Sequence, residues 1–312
     1  MIRPFIKWAG GKTRVLPDLL PLLPKGDCLI EPFVGGASVF LNTDYRRYVL
    51  ADINGDLLEL YQAAKDDPCE LIRRAAPLFR NGNSAQAYEE NRRRYNSSIT
   101  CPFDPARPAL FLYLNRHCFN GLCRYNRKGE FNVPFGRYKK VYFPEVEIRL
   151  FAEKARDTKA VFLDAHFSQT LKYQAKAGRV IYCDPPYLPA SDTSNFTQYH
   201  FGSFTTDNHQ QLADELMVAN RKTGCAVVIS NSDTPATWEI YQGFEFHEIA
   251  VLRSISANGI TRGAAKEVIG VLKTCDSCGR AGGGCCPDCG PCMGDATYQA
   301  MVASGALDGE VF

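Results

Sequence analysis

One short motif in this sequence combines a carboxylate, two prolines and an aromatic ring in a way that suits catalysis. Asp184, Pro185, Pro186 and Tyr187 directly follow residues 180–183, an apolar run typical of a buried strand. In open α/β sheets, ligands bind just beyond the carboxyl ends of the strands, so the motif stands where a ligand would lie. The alternative is an ordinary strand-to-turn junction, where Asp-Pro is common.

The chemistry that fits this motif is methyl transfer to an exocyclic amino group of a nucleobase. Such an amine is a poor nucleophile, because its lone pair is delocalised into the ring. The Asp184 carboxylate can accept one amino hydrogen and the Pro185 carbonyl the other, which draws the nitrogen toward a tetrahedral shape and aims its lone pair at a methyl donor. The prolines stiffen the backbone around that carbonyl, and Tyr187 offers a face on which a flipped-out base can stack.

Two loops nearer the N-terminus carry features of a ligand site. In EPFVGGAS, residues 31–38, the glycines Gly35 and Gly36 allow the backbone to approach a ligand closely. In KWAGGK, residues 7–12, a second glycine pair lies between an aromatic wall, Trp8, and lysines that can meet a carboxylate or a phosphate. The first of these loops lacks the G-x-G-x-x-G spacing of a dinucleotide site, and the second also fits an ordinary loop before a helix.

One further position, Asp52, strengthens the prediction of a nucleoside pocket. Asp52 ends the strand-like run that follows the first glycine loop, where an acidic residue can accept both hydroxyls of a ribose. Its alternative role is that of a helix N-cap or turn residue. His166 and Phe167 follow another strand-like run and can line the adenine pocket of a cofactor.

The elements that must position these residues alternate between strand and helix patterns. Asn54 can cap a helix whose apolar residues, from Leu57 to Ala64, recur at helical spacing. Strand patterns occupy residues 28–33, 48–53, 161–163, 180–183, 225–230, 244–251 and 268–272, and residues 207–222 have a helix pattern. Such alternation predicts an α/β fold with a mostly parallel sheet and helices on its faces.

A strongly basic block interrupts the alternation. Residues 71–140 hold 14 Lys and Arg against 4 Asp and Glu, so their charge is +10, while the rest of the chain carries −8. Helix patterns occupy residues 68–79, 85–95 and 106–116, and residues 127–129 have the pattern of a hairpin turn. Tyr and Phe are interleaved with Arg here, which favours a helical insert with a β-hairpin that binds nucleic acid over a merely solvated helical face.

Composition bounds the class of protein. The chain has 312 residues and 45% hydrophobic content, which suits one large domain or two modest ones and excludes wholesale disorder. A net charge of only +2 argues against a globally basic nucleic-acid coat protein. The N-terminus lacks the apolar core of a signal peptide, and no apolar run approaches the roughly 18 residues needed to span a bilayer, so we expect a soluble, intracellular protein.

Thirteen cysteines are distributed unevenly. Seven are scattered singly, which fits reduced thiols in a cytosolic protein, and six lie between residues 275 and 292. Paired C-x2-C units there predict a zinc knuckle, with Cys275, Cys278, Cys286 and Cys289 as one ligand set. Cys289 and Cys292 can replace the second pair, and a metal-free Gly/Cys-rich extension is the alternative. The five histidines lack ligand spacing, and we expect loop or surface positions for them.

Taken together, four motifs in this order resemble those of the Dam-type DNA adenine-N6 methyltransferases. They are residues 7–12, 31–36, 51–54 and 184–187. Further matching stretches are Asn115 with residues 120–126, then residues 131–138, 195–199 and 254–259. The resemblance runs from about Phe5 to Lys273, so the cysteine tail lies outside it. Within it, Ala37 stands where many relatives have Gly, and His117 and Phe119 stand where the family often has tyrosines.

The resemblance implies a Rossmann-like seven-stranded methyltransferase sheet and a defined reaction. The family transfers a methyl group from S-adenosylmethionine to N6 of a flipped-out adenine in double-stranded DNA, within GATC. The catalytic domain would comprise residues 1–56 and 145–274, the target-recognition domain residues 57–144, and the tail residues 275–312. We expect an enzyme that acts as a monomer on DNA and does not bind a membrane. We expect it in the cytoplasm, where DNA binding associates it with the nucleoid.

The resemblance also implies residue roles. Cofactor contacts would come from Trp8, Lys12, Phe33, Gly35, Asp52 and Asp184. The target adenine would be held by Asp184, Pro185 and Tyr187. DNA contacts would come from Lys7, Phe119, Asn120, Arg124, Arg137 and Tyr138. In this set Arg124 would meet a guanine, and a bidentate Arg–guanine pair is the commonest specific base contact.

Two alternative functions remain open from the sequence. One is amino methylation of cytosine N4, RNA or a glutamine side chain, but those relatives favour Ser or Asn in place of Asp184. The other is a non-catalytic DNA-binding protein whose tail is a zinc module for a partner. The presence of Lys12, Asp52, Asp184 and Tyr187 argues against lost catalysis.

Overall fold

A computed structural model describes residues 1–98, 104–188, 204–252 and 264–272, and within them seven strands form one sheet. The strands are β1 (Cys28–Glu31), β2 (Arg47–Asp52), β3 (Val161–Asp164), β4 (Arg179–Cys183), β5 (Ala226–Ser232), β6 (Glu245–Leu252) and β7 (Ala264–Leu272). Their order across the sheet is β3-β2-β1-β4-β5-β7-β6. The predicted seven-stranded α/β sheet is therefore confirmed.

The direction of the strands creates the crevice in which a ligand can bind. β1 pairs in parallel with β2 on one side and with β4 on the other, β2 pairs with β3, and β4 pairs with β5. Only β7 among the described strands runs against its neighbours, β5 and β6. From β1 the chain adds β2 and then β3 on one side, and it then crosses over to add β4 and β5 on the other side. The carboxyl ends of β1 and β4 therefore form a topological switch point.

Ten α-helices lie within the described residues. They are α1 (Leu16–Leu19), α2 (Ser38–Leu41), α3 (Gly55–Asp66), α4 (Pro68–Asn81), α5 (Ala85–Ser97), α6 (Arg107–His117), α7 (Glu145–Asp157), α8 (Phe167–Gln174), α9 (Thr206–Thr223) and α10 (Pro235–Ile240). None of them is long and apolar enough to cross a membrane.

Polar caps explain where several of these helices begin. The Asn54 side chain accepts from the Leu57 N–H at 3.1 Å, as the sequence predicted, so α3 begins immediately after β2 ends. Thr205 and Asn208 form a reciprocal capping box at the start of α9. The C-cap of that helix is Gly224, whose φ of +71° is a conformation that favours glycine.

The core lies on both faces of the sheet because successive strand residues point to opposite sides. Leu29 and Leu50 pack in a buried cluster with residues of α3 and α7. Ile30 and Ile181 pack in a second cluster with residues of α8 and α9. All four residues of β1 are buried, which is characteristic of a parallel strand covered by helices on both faces.

The basic insert contains helices α4 to α6, of which α4 packs against α3 and α7, and α6 packs against α3, α4 and α5. After α6 comes a 3-10 helix, Phe119–Gly121, and then a β-hairpin. In the hairpin Asn126 N–H donates to the Glu130 carbonyl at 2.9 Å, and Tyr125 and Phe131 form an antiparallel bridge. The predicted hairpin turn is thus confirmed.

A largely buried ionic cluster joins the insert to helix α3. The Arg107 guanidinium on α6 lies 2.6 Å from the Asp56 carboxylate on α3, and the Tyr125 hydroxyl donates to the same carboxylate at 2.5 Å. Helix α3 also contacts β2, β3 and α7. The division of the chain at residue 56 stays a prediction.

Candidate active site

Asp184 and Lys12 form an ion pair at the carboxyl end of β4. Lys12 Nζ lies 2.7 Å from Asp184 Oδ1, with the two side chains 7% and 20% exposed. Burial raises the pKa of Asp184 to about 6, and the charge and hydrogen bond of Lys12 act in the opposite direction. Lys12 Nζ also donates to the Gly10 carbonyl at 2.9 Å, which ties residues 7–12, here called the N-terminal loop, to the carboxylate. The structure thus brings two predicted site residues into direct contact.

The residues after Asp184 are fixed by strands β5 and β7. The Tyr187 hydroxyl donates to Glu267 Oε2 at 3.0 Å. Asn231 Oδ1 accepts from the Leu188 N–H at 3.2 Å, and Ser232 Oγ donates to the Leu188 carbonyl at 2.7 Å. The backbone of the motif is therefore held in place from the neighbouring strands, as a directional carbonyl acceptor requires.

One face of the Tyr187 ring is occupied by the ammonium group that pairs with Asp184. Lys12 Nζ lies 4.6 Å from the ring centroid, a cation–π distance. Tyr187 is only half-buried. A planar ligand can therefore stack on the ring only from the side away from Lys12.

The glycine loop after β1 is closed by Trp8 and Asp52. Asp52 Oδ2 accepts from the Gly35 N–H at 3.1 Å, and the Tyr61 hydroxyl donates to the Gly35 carbonyl at 2.6 Å. Gly35 has φ +43°, and a Cβ there would lie 2.9 Å from the Trp8 indole. Trp8, Gly35 and Asp52, all predicted site residues, thus meet in one place. Ala37 also has a positive φ, +58°, which explains why glycine would fit that position better.

An aromatic and acidic strip extends from this loop along the ends of β2 and β3. Phe33 stacks on Phe167 with ring centroids 5.6 Å apart. Ile53 is 49% exposed next to Asp52, and Asp164 lies opposite Asp52 in the sheet register. Apolar surface beside carboxylates suits a nucleoside, whose base needs packing and whose hydroxyl and amino groups need acceptors.

Three carboxyl groups stand at the ends of β1, β2 and β4 and differ in environment. Burial raises the pKa of Asp52 to about 6, while backbone hydrogen bonds from Gly35 and Asn54 counteract it. Glu31 is fully buried, and burial with the nearby Asp184 charge raises its pKa to about 8. Glu31 is therefore mostly protonated at neutral pH, which leaves Asp184 as the charged partner of Lys12.

A second group of predicted residues lies together on the insert side. Lys7 Nζ sits 3.8 Å from the Tyr138 ring centroid. Phe119 is 49% exposed and Asn120 has φ +55° within the 3-10 helix Phe119–Gly121, here called the recognition turn. The Phe119 N–H donates to the Pro134 carbonyl at 2.8 Å, which brings the recognition turn beside the returning strand of the hairpin.

Arg124 and Arg137 are exposed on this side as well. Asn132 holds the Arg124 guanidinium, because its Oδ1 accepts from Nε at 2.9 Å and its carbonyl accepts from Nη2 at 3.2 Å. Arg137 has φ +52°. The DNA roles of these residues stay predictions.

Several functional neighbours were missed from the sequence. Asn231, Ser232 and Glu267 support the motif, yet they come from β5 and β7, far along the chain. The one sequence signal for Asn231 and Ser232 was that an apolar strand ends in the polar residues Ser230-Asn231-Ser232. Glu31, Asp164 and Asn132 were likewise not singled out.

The expectation of surface positions was wrong for two histidines. His117 and His209 are fully buried, and burial lowers the pKa of each to about 4. Nδ1 of His209 lies 2.8 Å from the Tyr241 hydroxyl. Both are neutral parts of the packing, since an uncharged imidazole is far cheaper to bury than its cation.

The structure describes six of the scattered cysteines but none of the proposed zinc ligands. In the described part of the chain, no disulfide involves Cys28, Cys69, Cys118, Cys123, Cys183 or Cys225. No group of three or more metal-ligating side chains occurs among the described residues. The predicted zinc ligands Cys275, Cys278, Cys286 and Cys289 lie outside those residues, as do residues 195–199 and 254–259, so the zinc site stays a prediction.

Replacing Gly35 tests the closure of the glycine loop. We expect Gly35→Ala to push the Trp8 indole outward and to cost about 1–2 kcal/mol of stability, because it adds both a clash and a left-handed alanine. Trp8 emission, read in a Trp238→Phe background, should shift to longer wavelength. Gly129→Ala is the matched control, since Gly129 has φ +76° with no atom within 4 Å of the added Cβ. An unchanged Trp8 spectrum in Gly35→Ala would contradict the packing described.

The chain is similar over most of its length to proteins of known function. The family described as "D12 class N6 adenine-specific DNA methyltransferase" matches residues 8–255. The DNA adenine methylase of Escherichia coli (strain K12) is 50% identical over 273 residues, covering 87% of this chain and 95% of that protein. That of Serratia marcescens is 48% identical, covering 87% and 98%, and that of Vibrio cholerae serotype O1 is 46% identical, covering 86% and 96%.

Proposed function

Because this chain belongs to the D12 class of N6 adenine-specific DNA methyltransferases, and so methylates adenine N6 in DNA, we propose how its residues do so. The methyl donor is S-adenosylmethionine, the adenine is rotated out of double-stranded DNA, and the recognised sequence is GATC. The observation that carries the catalytic part is the Lys12–Asp184 pair beside a motif fixed by β5 and β7. GATC follows from the resemblance of residues 120–126 and 131–138 to the family's recognition segments.

Asp184 and Pro185 act on the amino group of the adenine. The Asp184 carboxylate, ionised beside Lys12, accepts one N6 hydrogen, and the Pro185 carbonyl accepts the other. Two acceptors pull electron density onto the nitrogen and turn its lone pair out of the base plane. Tyr187 stacks on the base with the face that Lys12 does not cover.

The cofactor fits the strip along the ends of β1, β2 and β3. S-adenosylmethionine supplies an electrophilic methyl group on a sulfonium centre. Asp52 would accept the ribose hydroxyls, Ile53 and Phe33 would pack against the adenine ring, and Trp8, Lys12 and Gly35 would border the methionine part. The exposed apolar Ile53 beside the Asp52 carboxylate is the observation that supports this assignment.

Base rotation is required because the amino group is inaccessible inside the stacked duplex. Exposed Phe119 and Asn120 on the recognition turn would occupy the space that the adenine leaves. Lys7, Arg137 and Tyr138 would contact the flanking base pair or the backbone. The +10 charge of residues 71–140 supplies phosphate contacts, so DNA binding should weaken steeply with salt.

Arg124 would read a guanine with the free edge of its guanidinium. Asn132 accepts the hydrogen of Arg124 Nε and one hydrogen of Nη2. The edge formed by Nη1 and the second Nη2 hydrogen can then donate two parallel hydrogen bonds to guanine O6 and N7. Holding the side chain in advance reduces the conformational entropy lost on binding.

Further assignments rest on the sequence alone. The enzyme would act as a monomer on DNA, in the cytoplasm and at the nucleoid. The tail would bind structural zinc through Cys275, Cys278, Cys286 and Cys289, because paired C-x2-C units suit tetrahedral coordination.

Loss of the carboxylate tests the catalytic role. Asp184→Ala should abolish methylation while DNA binding persists, because the variant removes an acceptor but no phosphate contact. The assay treats unmethylated plasmid with enzyme and S-adenosylmethionine, then digests it with GATC nucleases of opposite methylation sensitivity. Asp18→Ala, an exposed carboxylate on α1, is the control. Full activity in Asp184→Ala would refute the role, and methyl label incorporated without GATC protection would refute the recognition sequence.

The pH dependence follows from the raised pKa of Asp184. The carboxylate is lost as pH falls through about 6, so kcat/KM for DNA at saturating cofactor should decline below that pH. Lys12→Met removes the charge that lowers the Asp184 pKa, and the acid limb should therefore move to higher pH. The measured quantity is the pH at which kcat/KM falls to half of its maximum, so a general loss of rate in the variant does not obscure the result. If the acid limb of Lys12→Met lies at the same pH as that of the unmodified enzyme, Lys12 does not lower the Asp184 pKa.

The Arg124 assignment predicts a change in sequence choice. Arg124→Ala should lose about 1–3 kcal/mol of discrimination at one base pair of the site. Methylation rates are compared on GATC and on sites with single substituted base pairs. Arg127→Ala, an exposed arginine in the hairpin turn, should reduce the salt dependence of binding while discrimination remains. Equal discrimination by Arg124→Ala and the unmodified enzyme would exclude the guanine contact.

A further inference from the structure

The backbone of Lys7 is held by a buried amide from the insert. Asn115 is fully buried on α6; its Oδ1 accepts from the Lys7 N–H at 2.8 Å, and its Nδ2 donates to the Lys7 carbonyl at 2.7 Å. The same Nδ2 lies 3.4 Å from the Gly121 carbonyl. A buried amide is costly unless its hydrogen bonds are made. These three contacts therefore tie Lys7 to α6 and to the recognition turn.

The Lys7 side chain is packed against the same turn. Gly121 has φ +65°, and a Cβ there would come within 2.3 Å of Lys7 Cβ, so the lysine stem runs directly over the glycine. Farther out, Lys7 Nζ lies 3.4 Å from the Arg116 carbonyl as well as over the Tyr138 ring. Burial and the Arg116 charge lower the pKa of Lys7. Backbone and side chain are thus both set by the insert.

The other end of the N-terminal loop is fixed at the catalytic carboxylate. Lys12 lies five residues after Lys7 and pairs with Asp184 at 2.7 Å. Between them Trp8 packs over Gly35, and the Gly11 N–H donates to the Trp8 carbonyl at 3.2 Å. A short hydrogen-bonded segment therefore spans the distance from the recognition turn to the methyl-transfer site.

Resting on the proposed function, we infer that Asn115 is a positioning residue for sequence discrimination. It keeps the N-terminal loop in register with the recognition turn. A wrong base pair that displaces the turn then displaces Lys7 and, through the loop, the Lys12 partner of Asp184. A site with one wrong base pair should therefore be methylated with a lower kcat, in addition to being bound more weakly. Asn115 touches neither substrate nor reacting atoms and acts only through the loop.

The first test compares two equally buried asparagines. Asn220 is buried on α9, where its Nδ2 donates to the Cys225 carbonyl at 2.7 Å, away from the recognition turn. Asn115→Ala should reduce the ratio of kcat on GATC to kcat on singly substituted sites about tenfold. Its KM for DNA should change little, because the phosphate contacts remain. Asn220→Ala should lower thermal stability and leave the kcat ratio unchanged.

A second variant disturbs the same contact from the opposite side. Gly121→Ala keeps Asn115 but drives a Cβ into Lys7, so it should reproduce the loss of kcat discrimination. Gly129→Ala, with a similar positive φ and open space around it, is the matched control. Gly121→Ala also decides the matter if Asn115→Ala does not fold.

The outcomes separate the inference from the proposed function. If the unmodified enzyme methylates GATC selectively and both Asn115→Ala and Gly121→Ala keep its kcat ratio, the positioning role is wrong while the function stands. If the unmodified enzyme shows no preference for GATC, the proposed recognition sequence itself is wrong. A loss of kcat discrimination in both variants, absent from both controls, supports the inference.

Discussion

The ion pair between Lys12 and Asp184 is the interaction on which the site depends. A carboxylate placed in so enclosed a position is destabilised by the loss of water, and its pKa rises to about 6. The ammonium group 2.7 Å away offsets enough of that cost to leave the group ionised at neutral pH. Glu31, fully buried nearby, takes up a proton instead, with a pKa of about 8. Burial is the larger cause of the raised Glu31 pKa, and the nearby Asp184 charge adds to it, so Glu31 stays neutral while Lys12 keeps Asp184 charged.

The sheet topology supplies the supports for this pair. Reversal of strand order between β1 and β4 opens the crevice, and the parallel ends of β1, β2 and β4 place Glu31, Asp52 and Asp184 along it. The antiparallel strand β7 lies beside β5, so Glu267 stands in register with Ser232. These two strands hold Tyr187 and Leu188 through hydrogen bonds. A motif that must aim a carbonyl is thereby immobilised by neighbours from distant parts of the chain.

The insert is attached to helix α3 and to the N-terminal loop by polar contacts that are largely buried. Arg107 and Asp56 join α6 to α3, and Asn115 joins α6 to the N-terminal loop. Removing one member of such a pair leaves its partner unsatisfied, at a cost of about 1–3 kcal/mol for a hydrogen bond and more for a charge. The orientation of the DNA-facing residues relative to Asp184 is consequently set by a few specific contacts rather than by apolar packing alone.

The sequence by itself determined the local features. Apolar runs located all seven strands, Asn54 located a helix start, and the order of four short motifs indicated the family, because periodicity, capping and motif spacing are properties of neighbouring residues. Only the tertiary structure decided which distant groups meet. The Tyr187–Glu267, Arg124–Asn132 and Asn115–Lys7 hydrogen bonds depend on strand order and helix packing, as does the burial of His209. Those contacts join residues up to 108 positions apart, and no short-range pattern records them.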